Sequence, residues 1–342
     1  MDPKIKIGIV GVGGHGRTIR NAIRKSGRFE VVSCYDPNEA ALKEAAAEFG
    51  CEAAVSDEAV FTHSEITAVA IVSPNHLHRR QAEFAAVQGK HIFLEKPIAG
   101  TVEDGEAIVK AARKAGVILE VGHHFRKFPS FRFAKEIIES GKLGQIIAVE
   151  GNFSAPSGLN EKVPAWKTQK TSCPVVPLMQ LGIHGLDTLY YLLGPIVEGF
   201  SYQRHARMKG DTLDSSVSLL KFQDNVFGTF SSHYVVQQAF YIHILGTEYN
   251  LFVDFKKAVL IRVSDGRDER LQYTFTKPDD EPYLQEIQEF ADCISKNHEP
   301  EVPGEMGLKN LIVLEALIQS GEQGKSIYIP RLYPQYFSKQ EI

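Results

Sequence analysis

Strand and helix signals alternate over the first 122 residues, and this alternation constrains the fold more than any other feature of the chain. Short apolar runs are separated by helix-forming runs, and two of the helical runs end in glycine, at Gly89 and Gly116. Such alternation is typical of βαβ units, whose right-handed crossovers build a parallel sheet. Strands are predicted at residues 4–10, 29–35, 68–72, 91–94 and 117–121, and helices at 18–26, 39–49, 78–88 and 102–115.

A glycine-rich turn lies between the first predicted strand and the first predicted helix. The first glycine of such a turn permits a tight bend, the second lets the backbone approach a pyrophosphate, and the third lets the helix pack on the strand. The free N–H groups of the helix N-terminus favour phosphate. A glycine turn without a ligand is the alternative, but this position in a βαβ unit predicts a dinucleotide site. The pattern G-x-G-x-x-G is formed by Gly11, Val12, Gly13, Gly14, His15 and Gly16.

Asp36 ends the second predicted strand, 20 residues after Gly16. A carboxylate at this position accepts hydrogen bonds from the adenosine ribose and repels a 2′-phosphate, so NAD is the predicted cofactor. Arg17 or Lys43 could still reach a phosphate, which keeps NADP as an alternative. Asp36 could also be only a turn residue before Pro37.

Two further strands end in polar residues, at the sheet edge where open α/β folds bind ligands. Ser73, Pro74 and Asn75 follow the third strand and are assigned to the cofactor site together with Glu95 and Lys96, and Asn75 is predicted to hydrogen-bond the cofactor. His78 is assigned to the same site, with capping of the next helix as the alternative. Glu95-Lys96-Pro97 follows the fourth strand, where a lysine close to a dinucleotide can touch a reacting oxygen. The alternative for Lys96 is a surface lysine.

The pattern changes after Phe125. Turn residues such as Asp224-Asn225 and Asp265-Gly266 separate strand-like runs, as antiparallel hairpins require. Residues 154–177, rich in Pro, Ser and Lys, predict a long binding loop. The predicted strands are 146–153, 197–206, 215–222, 226–233, 240–246, 249–254, 258–263 and 271–275, and the helices are 129–140, 184–193, 283–296 and 307–320.

These patterns predict an α/β chain of two domains. A Rossmann domain with a doubly wound parallel sheet occupies residues 1–124. An α+β domain with a large, mostly antiparallel open sheet occupies residues 125–342 and is expected to bind substrate and to mediate oligomerisation. A length of 342 residues is comfortable for two such cores.

Composition and charge exclude several classes of partner. A net charge of −4 and a pI near 6.3 argue against nucleic-acid binding. Apolar runs fall short of the roughly 20 residues that span a bilayer, and strand-like sequence from Lys4 leaves no room for a signal peptide. Four scattered cysteines without CxxC spacing indicate reduced thiols and a cytoplasmic location. The twelve histidines show no metal-ligand spacing, so no metal is predicted.

Taken together, these motifs resemble the Gfo/Idh/MocA oxidoreductases, a family named for glucose–fructose oxidoreductase, inositol dehydrogenase and a rhizopine-catabolism enzyme. The resemblance covers residues 4–330 and implies an enzyme that oxidises or reduces sugars, polyols or cyclic alcohols with NAD(P). It rests on the glycine turn, Asp36, Ser73-Pro74-Asn75-His76-Leu77-His78, Gly89-Lys90-His91, Glu95-Lys96-Pro97, Gly182-Ile183-His184-Gly185-Leu186-Asp187 and Leu192-Leu193-Gly194.

The resemblance also implies roles for individual residues. Lys96 matches the catalytic lysine, and His184 matches the catalytic histidine that exchanges a proton with the reacting hydroxyl. Asp187 matches an acidic position that contacts substrate or supports the site. The chain departs from the family where Gln180 replaces a frequent aspartate and where residues 173–177 replace a glycine-rich stretch. These departures put the usual substrates in doubt more than the reaction type.

The chemistry expected of these residues is proton and charge management, because hydride transfer belongs to the cofactor. Neutral His184 is expected to take the hydroxyl proton, while charged Lys96 stabilises negative charge on the oxygen. Glu95 is expected to anchor the strand end or Lys96. A buried core histidine is the alternative for His184, and a carboxylate favoured by the helix dipole is the alternative for Asp187.

Four further residues are candidate substrate contacts. His124 and Arg126 follow the last parallel strand, and Arg126 could equally form an interdomain salt bridge. Trp166 and Lys167 lie in the long loop and resemble a family position that contacts the pocket or the cofactor, although a lone tryptophan is more often packing. Gln180 is predicted to hold a substrate hydroxyl by hydrogen bonds.

The sequence therefore predicts an NAD(P)-dependent dehydrogenase or reductase acting on a sugar-like, polyol or cyclic alcohol substrate. A non-catalytic NAD-binding regulator or scaffold on the same fold is the main alternative. A reductase of a less polar carbonyl is a third, since Phe125, Phe128, Val176 and Met179 could shape an apolar pocket. A homodimer or homotetramer through the C-terminal sheet is expected from the resemblance.

Overall fold

The computed structural model describes residues 3–160, 162–264, 267–276 and 281–337. Contacts group the described chain into two compact units. The first contains residues 3–124 and 281–311, and the second contains residues 125–276 and 312–337. The division into folding domains 1–124 and 125–342 stays a prediction. The contacts group residues 281–311 with the first unit. The predicted turn Asp265-Gly266 lies outside the described residues.

A six-stranded parallel sheet forms the first unit, in the order β3-β2-β1-β4-β5-β6. This is the Rossmann order, and it confirms the predicted doubly wound sheet. Sequence patterns missed strand β3 because it has only two residues. The strands are β1 Ile5–Val10, β2 Phe29–Tyr35, β3 Glu52–Ala53, β4 Ala68–Ile71, β5 His91–Glu95 and β6 Leu119–Gly122.

Local capping signals define the helices of the first unit. The Asn38 side chain accepts a hydrogen bond from the N–H of Ala41 at the start of α2, and Thr101 caps α5 in the same way. Gly50 and Gly116 end these helices in the left-handed conformation. The helices are α1 Gly16–Ser26, α2 Glu39–Phe49, α3 Asp57–Thr62, α4 His78–Val87, α5 Val102–Ala115, α8 Glu281–Lys296 and, up to Leu311, α9 Gly304–Gln323.

Helix α8 completes the core of the first unit. Its buried residues Ile287, Phe290 and Ala291 recur at helical spacing and join one apolar cluster with the strands. The ring of Phe290 stacks on Phe29 of β2 at a centroid distance of 6.2 Å and also contacts Phe93 of β5. A helix that lies about 160 residues downstream of β6 thus covers the parallel sheet.

A nine-stranded sheet forms the second unit, in the order β14-β13-β12-β11-β7-β10-β9-β8-β15. Strands β7 and β10 pair in parallel, and the other neighbouring pairs are antiparallel. The predicted large, mostly antiparallel sheet is confirmed. The strands are β7 Ile146–Ser154, β8 Ile196–Arg204, β9 Ser215–Phe222, β10 Phe227–His233, β11 Ala239–Gly246, β12 Asn250–Asp254, β13 Lys257–Ser264, β14 Arg267–Thr274 and β15 Ile327–Tyr328.

One face of this sheet is covered and the other is open. Along β9, Leu220 and Phe222 are buried while Val217 and Leu219 are exposed, as the two-residue period of a strand requires. The helices of the unit are α6 Pro129–Glu139, α7 Ile183–Leu193, the C-terminal part of α9 and α10 Ile329–Leu332. Short helical turns cover Asn75–Leu77, His124–Lys127, Pro156–Leu159, Ala165–Thr168, Leu178–Gly182 and Pro334–Tyr336.

Across the described part of the chain, none of the helices combines the length and the apolar character needed to cross a membrane.

Candidate functional site

The glycine turn has the geometry that its sequence predicts. Gly11 adopts a φ of 88°, and a Cβ on it would lie 2.7 Å from the backbone of Val72. A Cβ on Gly16 would lie 2.0 Å from the carbonyl oxygen of Gly11. Only glycine fits at either position, so the turn brings helix α1 close to the end of β1.

Asp36 braces this turn from the end of β2. Its Oδ2 accepts hydrogen bonds from the N–H groups of Val12 and Gly13, both at 2.9 Å, and its Oδ1 accepts from Asn38 at 2.8 Å. A carboxylate offers about four acceptor positions. Asp36 therefore holds the turn and keeps acceptor capacity for a ribose hydroxyl.

Asn75 lies in the loop after β4, at the same edge of the parallel sheet. Its side chain is buried, and neither its amide nitrogen nor its carbonyl oxygen has a hydrogen-bond partner in the structure. Burying a carboxamide without partners costs free energy, because water no longer solvates its dipoles. Neighbouring Ser73 is held by a hydrogen bond to Gln81, which in turn donates to Asp57 at 2.6 Å.

His78 is fully buried and joins two loops at this edge. Its Nε2 lies 2.9 Å from the carbonyl oxygen of Ser73, and its Nδ1 lies 3.1 and 3.2 Å from those of Pro97 and Ile98. Burial lowers the pKa of His78, while these hydrogen bonds act in the opposite direction. The ring therefore connects the Ser73–Asn75 loop to the segment after Lys96.

Glu95 is a buried carboxylate at the end of β5. His15 donates to it through Nε2 at 3.0 Å, and the backbone N–H of Lys96 donates at 3.1 Å. Burial opposes its ionisation, but the charges of His15 and Lys96 together with the His15 hydrogen bond lower the pKa of Glu95 to about 2. Glu95 thus ties the glycine turn to the segment that carries Lys96.

His124 lies beside this group and stacks on Tyr283 of α8, with a centroid distance of 3.9 Å. Burial keeps the pKa of His124 well below its ordinary value, although the Glu95 carboxylate acts in the opposite direction. Burial, followed by the carboxylates of Glu95 and Glu286, raises the pKa of Tyr283. Both rings are therefore neutral near neutral pH.

Tyr283 is a site residue that the sequence analysis missed. It also contacts His15 edge-on at 5.6 Å, so one aromatic ring touches two histidines of the cofactor region. In the sequence it begins a stripe with Ile287 and Phe290 at helical spacing, which indicates only core packing.

The residues of the first unit fit a bound NAD. Gly11, Gly13 and Gly14 carry no side chain that would obstruct a pyrophosphate, and Asp36 retains acceptor capacity at the ribose position. The unpartnered Asn75 carboxamide supplies both a donor and an acceptor at the same edge. A polar ligand at this edge would supply the hydrogen bonds that the Asn75 carboxamide lacks.

In the second unit, glycines bring helix α7 close to the sheet. A Cβ on Gly185 would lie 2.4 Å from the ring of Phe230, and one on Gly182 would lie 3.3 Å from Ser232 Oγ. Immediately before α7, residues Leu178–Gly182 form a wide helical turn with i to i+5 hydrogen bonds. Such turns are frequent at functional sites.

His184 occupies the first turn of α7. Its ring stacks on Phe125 with a centroid distance of 4.1 Å and an interplanar angle of 12°, and it is 4% exposed. The Thr188 hydroxyl donates to the His184 carbonyl at 2.8 Å. The histidine is therefore held against an aromatic face instead of rotating freely.

Asp187 and Arg126 form a buried ion pair. Arg126 Nε donates to Oδ2 at 2.8 Å and Nη2 donates to Oδ1 at 2.7 Å, with side-chain exposures of 4% and 0%. Both residues were predicted to contact substrate, and Arg126 alternatively to bridge domains. Their bidentate pairing lies within the second unit.

The remaining predicted substrate contacts lie in the wide turn and the long loop. Gln180 is partly exposed within the Leu178–Gly182 turn. Lys167 lies over the ring of Trp166 at 5.2 Å. The same loop lines a cavity of about 810 Å³ whose walls include Leu159, Val163, Arg207, Met208, Lys209 and Val235.

Comparison with known families identifies the chain. Residues 5–123 match the oxidoreductase family with an NAD-binding Rossmann fold, and residues 135–329 match the C-terminal alpha/beta domain of that family. The chain belongs to the Gfo/Idh/MocA oxidoreductase family, as its motifs predict. Its cofactor is NAD, bound by the first unit.

Curated relatives include a levoglucosan dehydrogenase and a 1,5-anhydro-D-fructose reductase. Levoglucosan dehydrogenase of Pseudarthrobacter phenanthrenivorans is 34% identical over 167 residues, which cover 48% of this chain and 42% of that protein. The 1,5-anhydro-D-fructose reductase of Ensifer adhaerens is 29% identical over 322 residues, which cover 90% of this chain and 93% of that enzyme. The chain spans about half the length of the first curated relatives it matches, 52% and 42%.

A solved structure shares the fold over nearly the whole chain. The crystal structure of a putative NADPH-dependent oxidoreductase from Desulfitobacterium hafniense has a TM-score of 0.90 and 26% sequence identity. The alignment covers 97% of this chain and 99% of that one.

Proposed function

We propose that this protein is an NAD-dependent dehydrogenase or reductase acting on a CH–OH group of a sugar-like, polyol or cyclic alcohol substrate. The observation that carries the proposal is the cofactor edge of the first unit. There the glycine turn, the bracing carboxylate of Asp36 and the unpartnered carboxamide of Asn75 meet at adjacent strand ends. When bound there, NAD supplies the hydride acceptor or donor that such a reaction needs.

The protein's contribution is to manage one oxygen and one proton. In the oxidation direction the substrate C–H bond releases hydride, and its O–H bond releases a proton. We assign the proton to His184, which its stack on Phe125 holds in a fixed orientation. We assign stabilisation of the negative oxygen to the ammonium group of Lys96.

The surroundings of Lys96 support this assignment. Glu95 is ionised throughout the physiological range, because its pKa is about 2. Its carboxylate accepts the backbone N–H of Lys96 and also binds His15. The lysine is therefore fixed at its backbone, next to a negative charge.

The substrate class is the finer part of the proposal. Levoglucosan, 1,5-anhydro-D-fructose and myo-inositol appear in the names of relatives, and all are ring compounds with several hydroxyls. Gln180, with a donor and an acceptor on one amide, suits such a ring. Because Arg126 already binds Asp187, we assign these two residues to positioning α7 and not to holding substrate.

We further propose a cytoplasmic homodimer or homotetramer formed through the open face of the nine-stranded sheet. All four cysteines are in the thiol form, in keeping with a reducing compartment. The open face presents exposed apolar side chains on adjacent strands, and contiguous apolar surface commonly marks an interface. These side chains are Tyr202, Val217, Leu219 and Phe227.

A cofactor-dependent assay tests the function. The protein is incubated with NAD⁺ or NADP⁺ and a panel of sugars, anhydrosugars and cyclitols, and the absorbance of reduced nicotinamide is followed. We expect turnover with NAD⁺ and a preference for it over NADP⁺. The Lys96→Met variant should lose about 10²–10³-fold in kcat, and His184→Asn should lose about 10²–10⁴-fold and flatten the pH profile.

The matched control is Lys110→Met, since Lys110 is an exposed lysine on α5 of the same unit. It should leave turnover unchanged. Full activity of His184→Asn would contradict the proton assignment. Tight NAD binding without turnover across the panel would instead favour a non-catalytic NAD-binding regulator on this fold.

A further inference from the structure

Cys34 and Cys51 form a pair of thiols that the proposed reaction does not use. Cys34 is buried within β2, and Cys51 is partly exposed immediately after α2. Their sulfur atoms lie 3.7 Å apart, within hydrogen-bond distance for sulfur. The other two cysteines, Cys173 and Cys293, are fully buried, so Cys51 is the thiol that a soluble reagent reaches first.

Local structure brings the two thiols together. Gly50 ends α2 in the left-handed conformation with a φ of 63°, which reverses the chain direction. The N–H of Cys51 then donates to the carbonyl oxygen of Ala46 at 3.1 Å. Strand β3 follows directly and pairs with β2 through Ser33↔Glu52 and Cys34↔Ala53. The cap and the strand register therefore fix the separation of the sulfur atoms.

The two thiols differ in exposure and in the direction of their pKa shifts. The hydrogen bond with Cys34 lowers the pKa of Cys51, and the same contact followed by burial raises the pKa of Cys34. Because the thiolate is the nucleophile, the exposed member of the pair is the one that attacks an oxidant. The buried thiol of Cys34 lies close enough to react with the oxidised Cys51 and form a disulfide.

We propose that Cys34 and Cys51 form a peroxide-sensitive site that oxidation converts into an intrachain disulfide. The Cys51 thiolate attacks hydrogen peroxide, whose O–O bond breaks, and with one proton gives a sulfenic acid and water. The Cys34 sulfur then attacks the sulfenic sulfur. The S–O bond breaks, and the departing hydroxide takes the Cys34 proton to leave as water. Two thiols are oxidised and one peroxide is reduced to two waters.

The disulfide would act on the cofactor site, a consequence that rests on the proposed NAD site. Its sulfur atoms must approach from 3.7 Å to about 2 Å. Cys34 precedes Asp36 by two residues, and Asp36 holds the glycine turn through Val12 and Gly13. Movement at the end of β2 therefore disturbs the group that receives the ribose. We expect weaker NAD binding after oxidation and, by reciprocity, slower oxidation when NAD is bound.

Peptide mapping tests the oxidation itself. The full chain is treated with hydrogen peroxide, quenched, alkylated and analysed by mass spectrometry without a reductant. We expect a loss of two hydrogen atoms and a linked peptide pair containing Cys34 and Cys51. The Cys34→Ser variant should stop at a sulfenic acid on Cys51 that dimedone traps, and Cys51→Ser should resist oxidation. Circular dichroism checks that both variants fold.

Two outcomes would overturn the site. One is that Cys34 and Cys51 remain alkylatable while Cys173 or Cys293 is oxidised. The other is that Cys51→Ser is oxidised as fast as the parent protein. A Cys293→Ser variant that folds serves as a control and should form the disulfide like the parent.

Calorimetry tests the coupling to the cofactor. We expect the Kd for NAD to rise roughly fivefold or more on oxidation and to return on reduction. An unchanged Kd would overturn the coupling. Failure of the reduced protein to bind NAD would instead overturn the proposed NAD site, and the peptide map distinguishes this case because it does not depend on NAD.

Discussion

The cofactor edge of the first unit and helix α7 of the second unit differ in whether a buried polar side chain has hydrogen-bond partners. At the cofactor edge, Asn75 is buried with both polar atoms unpartnered. On α7, Asp187 is buried with both carboxylate oxygens bound by Arg126. The unpartnered Asn75 costs stability but leaves a donor and an acceptor that a ligand can bind. The Arg126–Asp187 pair uses its polar groups within the protein and holds α7 in place. Mutation of Asn75 should therefore change cofactor binding, and mutation of the Arg126–Asp187 pair should change stability.

The largest expected effect comes from breaking the ion pair. Arg126→Met should lower the free energy of unfolding by about 3–5 kcal/mol, because it removes the bidentate arginine from the buried Asp187 charge. Urea denaturation followed by circular dichroism measures the change. The double variant Arg126→Met, Asp187→Leu removes both charges and should recover most of the loss. If the double variant is as unstable as the single one, the ion pair is not the cause.

The next largest effect is the contribution of Glu95 to the pH dependence of the unfolding free energy. Its pKa falls from an ordinary 4.5 to about 2 on folding. Its contribution is therefore complete above pH 4.5 and is lost as the pH falls toward 2, a loss of about 3 kcal/mol. Relative to Glu95→Gln, the parent protein should lose unfolding free energy over this range in acid titrations. Parallel pH curves for the two proteins would contradict the ionised state.

Replacement of Asn75 separates binding from stability. Asn75→Leu keeps the branched heavy-atom shape of the side chain and removes the unpartnered dipoles, so stability should stay level or rise. NAD affinity should fall about tenfold, because hydrogen bonds to the cofactor are lost. Calorimetry and urea denaturation measure the two quantities on one preparation. Asn152→Leu, in strand β7 of the second unit, is the control and should not change NAD affinity.

Asp36 gives the smallest effect. Asp36→Asn keeps an acceptor for the turn but removes the charge that repels a 2′-phosphate. The ratio of NADP affinity to NAD affinity should rise about fivefold, which corresponds to about 1 kcal/mol of charge repulsion near the surface. Competitive binding of the two cofactors measures the ratio. A ratio that does not move would assign the NAD preference to another residue.

The sequence predicted the cofactor edge better than α7, for a physical reason. The glycine turn and Asp36 act through backbone geometry over a few residues, so their spacing alone carries the signal. The Arg126–Asp187 pair joins residues 61 positions apart, and only the fold brings them together. Tyr283 was missed because an aromatic at helical spacing indicates core packing. Strand β3 and helix α3 were missed because two and six residues show no period.

His78 and His124 have contacts that the sequence could not supply, while their assignments to cofactor and substrate stay predictions. Both were assigned by position after a strand, His78 to the cofactor and His124 to the substrate. His78 contacts three carbonyl oxygens of its own unit, and His124 stacks on Tyr283. A position directly after a strand places a residue at the edge of the sheet, but it does not show which groups the side chain contacts. Its partners depend on segments that are distant in sequence.

Direct detection of hydride transfer tests the central proposal, that this chain is an NAD-dependent oxidoreductase acting on CH–OH groups of sugar-like, polyol or cyclic alcohol substrates. The protein is mixed with NAD⁺ and polyols deuterated at their CH–OH carbons, and the reduced nicotinamide is analysed by mass spectrometry. We predict that deuterium from at least one polyol appears in the reduced cofactor and that Lys96→Met suppresses its transfer. If the protein is saturated with NAD⁺ and no deuterium is transferred from any polyol, and the same holds with NADP⁺, the proposal is contradicted.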